Sequence, residues 1–201
     1  MVLIMEEHHT IAIAIHGRGG QGAVTASNML VKAAHLTGKY PHVMAVPFFG
    51  AERRGAPVSA YARISTSKIH DRSRVYSSDV MIIMDPSILK SVNPISSLKK
   101  DGMLLVNSHE DPKAFRENNS IPSTVKLGIV DLVKICLDLN LMVEGNPIVN
   151  TPILGALCKI FPNISIDVMV KTIKNYFSNS KKADLNAEGA KKAYEELIID
   201  E

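Results

Sequence analysis

The chain has 201 residues, 46% of them hydrophobic and 21% charged, enough for one domain with a sizeable core. Its net charge of +3 is too weak by itself to argue for a nucleic-acid partner, and the absence of tryptophan, with only five Phe and five Tyr, excludes a base-stacking surface. No apolar run reaches the roughly eighteen residues of a membrane span.

The opening "MVLIMEEHHT" has an apolar patch, but Glu6 and Glu7 interrupt it and no basic leader precedes it, so it does not read as a signal peptide. "IAIAIH" (Ile11–His16) reads as a buried strand. From Gln21 to Thr37 the apolar residues Val24, Leu30, Val31 and Ala34 fit one helix, with Gly38 as its stop. "HVMAV" (His42–Val46) is a second strand, Pro47–Pro57 a loop, and the alternating "VSAYARI" (Val58–Ile64) a third strand. "DVMIIMD" (Asp79–Asp85) is a fourth, ended by Pro86. "MLLVN" (Met103–Asn107) and "TVKLGI" (Thr124–Ile129) follow as a fifth and sixth. Thereafter the pattern is helical, in "VDLVKICLDLNLM", "IVNTPILGALCKIF", "IDVMVKTIKNYF" with Ser165 as N-cap, and "ADLNAEGAKKAYEELII". The expected class is α/β and Rossmann-like: a mostly parallel sheet flanked by helices, with a helical C-terminal third, in one domain over residues 1–201. With no repeat and no low-complexity linker, nothing divides it.

Chemistry concentrates in two stretches. "HGRGGQGAVTAS" (His16–Ser27) puts Gly17, Arg18, Gly19, Gly20, Gln21 and Gly22 between a strand and a helix. That order suits an anion: glycines let backbone come close, and free N–H groups at the helix start face the ligand. Gly17, Gly19 and Gly22 also satisfy G-x-G-x-x-G, a weak match alone. A dinucleotide site needs an acid at the end of the second strand to hold a ribose, and "MAVPFFG" offers none before Glu52. The loop lacks the G-K-[ST] ending of a P-loop too. The second stretch is "GAERRGAP" (Gly50–Pro57), with Glu52, Arg53 and Arg54 on the same carboxyl edge of the sheet. Adjacent guanidiniums suit phosphate or carboxylate, and Phe48, Phe49 and Pro57 beside them resemble an interface.

Together, "GRGGQGAVTAS" and "PFFGAERRGAPVSAYARI" resemble the gamma subunit, or gamma domain, of the 2-oxoacid:ferredoxin oxidoreductases, especially the pyruvate and 2-ketoisovalerate members. The resemblance continues through "NPIVNTPILGAL" (Asn146–Leu157) and "KNYFSNSKKADLNAEGAKKAY" (Lys174–Tyr194). Four separated motifs agree in order. Subunits for 2-oxoglutarate or indolepyruvate depart from Arg18 or from the "ERRG" run, so keeping both favours the pyruvate-like group.

The resemblance implies a gamma subunit of an enzyme that converts a 2-oxoacid and coenzyme A to acyl-CoA and carbon dioxide, passing electrons to ferredoxin. Thiamine diphosphate, magnesium and iron–sulfur clusters are expected on the alpha, beta and ferredoxin-like delta partners, and neither cofactor nor metal on this chain. A [4Fe–4S] cluster takes about four thiolates, and the sequence holds only Cys136 and Cys158, on apolar helical faces that suit buried thiols. Two cysteines without CxxC spacing point to a reducing cytoplasm. The sequence supplies no catalytic constellation. The seven histidines show no HxH or HExxH spacing, His16 is read as a satisfied histidine ending the first strand, and Ser27 and Thr25 sit in a helix without a nucleophile elbow. Asp85 is read as a cap for the turn after it, and Lys181–Lys182 and Lys191–Lys192 as a solvated face. The glycine loop and the "ERRG" loop are the expected ligand- or partner-binding edge. The readings set against this one are a free-standing NAD(P)- or flavin-dependent oxidoreductase and a scaffold without ligand.

Overall fold

The computed structural model describes residues 10–48, 55–178 and 180–200. Strand β1 (Thr10–Arg18) leads through the glycine loop into helix α1 (Ala23–Leu36), which returns to β2 (His42–Phe48); β3 (Pro57–Ser65) and β4 (Ser78–Ile83) follow. Two 3-10 turns, at Pro86–Ile88 and Pro94–Ser97, flank the short α2 (Leu89–Val92) and lead to β5 (Leu98–Asn107), α3 (Pro112–Asn118), β6 (Lys126–Val130) and α4 (Leu132–Asp138). A small hairpin of β7 (Met142–Val143) and β8 (Asn146–Pro147) precedes α5 (Pro152–Ile160), α6 (Ile166–Tyr176), α7 (Lys181–Glu196) and a last strand, β9 (Ile198–Asp200).

The seven-stranded sheet runs β2-β3-β1-β4-β5-β6-β9. β1, β4, β5 and β6 pair in parallel; β3 runs antiparallel between β1 and β2, and β9 runs antiparallel to β6. The α/β class with a mostly parallel sheet and a helical C-terminal third therefore stands. Several features differ from the sequence reading, among them the β7–β8 hairpin, which begins at Met142 at the end of a run read as helical. β3 enters between the first two strands, so His16 faces Ser59 on one side and Ile83 on the other. The last helix ends at Glu196, where the chain turns to pair Ile198–Asp200 with β6.

Period-two alternation explains the layering. Ile11, Ile13 and Ile15 of β1 join Ile82, Leu105 and Val130 under α1, α4, α5, α6 and α7 in one core. On the opposite face Met81, Ile83, Leu104, Val106 and Leu127 pack with Ile88, Leu89 and Phe115. A smaller group, Ala14, Tyr61 and Val75, lies under the segment between β3 and β4. Helix caps follow local chemistry: Ser165 accepts from the Val168 amide, Asp111 from Lys113 and Ala114, and Asp131 from Lys134. Both thiols are buried, and burial pushes each up to about 12; Cys136 donates to the Ile148 carbonyl and Cys158 to that of Leu154.

Candidate functional site

The chain turns to one side of β1 through β2 and β3 and to the other through β4, β5 and β6, so the carboxyl ends of β1 and β4 form the crevice where ligands collect in open α/β sheets. The glycine loop lies there. Gly20 and Gly22 have φ of 99° and 79°, the left-handed region that side chains resist. Gly22 is the N-cap of α1, with no side-chain cap and no acid in the first turn. The first amides of this fourteen-residue helix are thus left without a capping side chain.

Arg18 holds the loop in place. Its Nε donates to Asp85 Oδ2 at 3.1 Å, one terminal nitrogen to Ser87 Oγ at 2.6 Å and the other to the Gly55 carbonyl at 2.8 Å. Its backbone amide donates to Gln21 Oε1 at 2.8 Å. Asp85 is the cap expected from the sequence, accepting from the Ser87 amide at 3.0 Å, and is also the carboxylate that receives Arg18. Through all three of its nitrogens the guanidinium clamps the loop, and it lines the cleft with N–H groups still unused. The Gly19 amide donates to Ala56 O at 2.8 Å and the Gly55 amide to Gly19 O at 3.1 Å. The glycine loop and the C-terminal flank of the "ERRG" stretch are therefore one hydrogen-bonded unit. Glu52, Arg53 and Arg54 themselves lie outside the described residues, as do Phe49 and Gly50.

Facing this unit is a second wall built from the C-terminal third. The cleft between them, about 910 Å³, is lined by Gly19, Gly20, Gln21, Gly22 and Thr25 on one side and by Glu144, Asn146, Asn150, Phe177 and Lys182 on the other. A neighbouring cavity of about 520 Å³ over the ends of β4, β5 and β6 shares Gln21 and Asp85 with it. Asn107 ties those strand ends together, donating to Met84 O and accepting from the Leu132 amide. Among the described residues no three His, Cys, Asp or Glu side chains are placed to hold a metal ion. Sequence reasoning singled out the glycine loop but missed Thr25 as a lining residue and Asn150 altogether; Lys182 is exposed as expected and also lines the cleft. The only signal for Asn150 is its place in "NPIVNTPILGAL".

His16, read from the sequence as the end of the first strand, lies two residues before the end of β1 on the face away from α1, 6% exposed, with its ring edge-on to Tyr61. Nδ1 shares a 2.9 Å hydrogen bond with Ser59 Oγ, but Nε2 is buried without a partner among the described residues, so the histidine is only half satisfied. Burial first, and the Arg74 charge second, push its pKa from 6.5 down to about 4. The imidazole is neutral in the fold, while an unfolded chain binds a proton below about pH 6.5. Above that value His16 contributes no pH dependence; between 6.5 and 4 stability falls as the pH falls, by about 3 kcal/mol in all. Urea unfolding at pH 7.0 and 4.5 is expected to show a larger loss of midpoint in the wild type than in His16→Gln. Equal losses would mean that this ring titrates as freely in the fold as out of it.

A dinucleotide site loses its geometry here. The strand beside β1 on the ribose side is β3, antiparallel, which presents its starting residues Pro57 and Val58 at that edge instead of an acidic strand end.

Comparison with known proteins agrees. Residues 12–196 match the model of the family described as pyruvate ferredoxin/flavodoxin oxidoreductase. The common gamma subunit of the pyruvate/ketoisovalerate oxidoreductases of Thermococcus litoralis is 42% identical over 94% of this chain and 98% of its own length. The pyruvate synthase subunit PorC of Methanothermobacter marburgensis is 44% identical over 93% of this chain and 97% of its own. The crystal structure of the pyruvate oxidoreductase subunit PORC of Thermotoga maritima superposes with a TM-score of 0.79 at 34% identity, covering 96% of this chain and 99% of that one. With residues 12–196 matched to the family, its fold shared and its glycine loop in the crevice, the chain belongs to the pyruvate ferredoxin/flavodoxin oxidoreductase family, as a gamma-type subunit.

Proposed function

We propose that this gamma-type chain, acting as a single domain over residues 1–201, presents its carboxyl edge to the catalytic subunits of a cytoplasmic pyruvate-type 2-oxoacid:ferredoxin oxidoreductase and holds the phosphate end of coenzyme A there. The observation that carries the ligand role is the cleft itself: an uncapped fourteen-residue helix start beside two left-handed glycines, opening into about 910 Å³. Carbon–carbon cleavage and electron transfer fall to the partners, alpha, beta and a ferredoxin-like delta, with thiamine diphosphate, magnesium and the clusters, and ferredoxin accepts the electrons. The chain's own donors do not suit a cluster, since its only two thiols are buried, protonated and engaged with carbonyls. What this chain contributes is binding and orientation: its fixed amides hold one end of the substrate while the thiol end reacts on another subunit. No described helix is long and apolar enough to cross a membrane.

The purified chain is expected to be colourless and inactive with any 2-oxoacid, coenzyme A and a viologen dye, and activity is expected only with its partner subunits. Turnover by the isolated chain would overturn the subunit reading. In the assembled enzyme, Arg53→Ala or Arg54→Ala is expected to raise the coenzyme A KM about ten- to a hundredfold, the worth of one charge-assisted hydrogen bond. A complex that instead falls apart on gel filtration would assign those arginines to docking. A complex with unchanged assembly and kinetics would make the "ERRG" loop a solvated turn.

A further inference from the structure

Among the described residues, Asn150 is the one side-chain amide with a buried oxygen left without a hydrogen-bond partner. It lies between the small hairpin and α5, is 9% exposed, and lines the cleft. Its Oδ1 is buried with no hydrogen-bond partner among the described residues. Its neighbours on the same wall do not share this condition: Thr151 donates to Asn186 Oδ1 at 2.6 Å, and Asn186 donates to Lys182 O at 2.8 Å. An unpaired buried carbonyl is unfavourable and is rarely kept without a role. The opposite end of the amide, Nδ2, rests directly against Gly22, so closely that a Cβ at that residue would collide with it. Gly22 is thus needed twice, for its φ of 79° and for the approach of Asn150 to the start of α1.

A carboxamide both donates and accepts. Facing it are the uncapped amides of α1 and the Thr25 side chain, and Lys182 lines the cleft on its own wall, a setting that favours an anion. Of the acids on the cleft wall, Asp85 is bound to Arg18, and Glu144 has a partner of its own. We propose that Asn150 is a specificity-determining residue that reads a phosphate ester. The phosphate lies on the α1 amides over Gly20, where a built Cβ meets no atom within 4 Å, and the Asn150 carboxamide bonds the hydroxyl or amide N–H of the unit carrying that phosphate. Inorganic phosphate satisfies the first contact and not the second, so the residue separates esters from the free ion. This deepens the coenzyme A reading and rests on it.

The test uses the assembled complex, with Asn150→Asp and Asn150→Ser. The aspartate keeps the shape and sets a negative charge against the phosphate; the serine is the smaller change, should the aspartate hinder folding. Asn150→Asp is expected to raise the coenzyme A KM about a hundredfold and Asn150→Ser about tenfold, with the KM of the 2-oxoacid unmoved. Protection of the α1 amides from exchange by inorganic phosphate is expected to survive Asn150→Ser, whereas protection by adenosine 3′,5′-bisphosphate weakens about tenfold. An assembled Asn150→Asp enzyme with coenzyme A KM within twofold of wild type would overturn the proposal. So would equal loss of both protections, which marks a merely structural residue. If neither phosphate compound protects α1 in the wild-type complex, the coenzyme A reading fails as well.

Discussion

Gly155→Ala is expected to destabilise the chain by about 3 kcal/mol or more, lowering the melting temperature by roughly 6–12 °C for a chain of this size. Gly155 is in the middle of α5, and a Cβ added there would fall on the backbone carbonyl of Ala190 in α7. The atom in the way is main chain, so no rotamer change relieves the overlap. The two helices must separate, and buried Leu154, Leu157, Ala187 and Ala190 lose their packing as they do. Gly145→Ala is the control: its φ is 77° but nothing lies within 4 Å of a Cβ, so only backbone strain of about 1 kcal/mol is expected. Calorimetric melting of both variants checks the pair. A Gly155→Ala melt no lower than that of Gly145→Ala would mean that the α5–α7 contact yields at no cost.

Arg18→Ala is expected to lower kcat/KM for coenzyme A in the assembled enzyme by about a hundredfold while the chain stays folded. The side chain is 34% exposed, so its ion pair with Asp85 contributes little to global stability. Its role is geometric. The guanidinium fixes Asp85, Ser87 and Gly55 at once, and with them the position of the loop opposite the second wall. A displacement of about 1 Å in such a support is worth about two orders of magnitude in rate. Arg18→Lys is not expected to restore activity, because an ammonium cannot span three acceptors in the guanidinium plane. Steady-state kinetics with matched melting curves decide: full activity in either variant would reduce Arg18 to a surface ion pair.

The glycine loop and α1 were legible because their signals are local. A strand rich in isoleucine, clustered glycines and a helical period need only neighbours in sequence. The strand β9 was not, because Leu197, Ile198 and Ile199 continue an apolar helical pattern and three residues cannot distinguish the two periods. What makes them a strand is distant: Ile199 opposite Gly128, and Asp200 bonded to Arg116 at 2.6 Å. The placement of β3 was hidden for a related reason, since alternation shows that a strand exists but not which neighbour it takes. At the site the glycines could be read, while the network that makes Arg18 a clamp and the approach of Asn150 to Gly22 could not, because those partners lie 37 to 128 positions away in sequence.

The two walls of the cleft differ in how firmly they are tied, and that difference sets where binding entropy is spent. The glycine-loop wall is anchored to β1, β3 and the turn after β4 before any ligand arrives. The facing wall includes a hairpin whose strands are two residues each. A ligand settling on the loop meets amides already aimed, so little ordering cost falls on that side. On the proposed coenzyme A reading, adjustment to the ligand's shape falls on the hairpin, so that changes in residues 142–147 reshape the cleft beside Asn150 while the glycine-loop wall stays as it is.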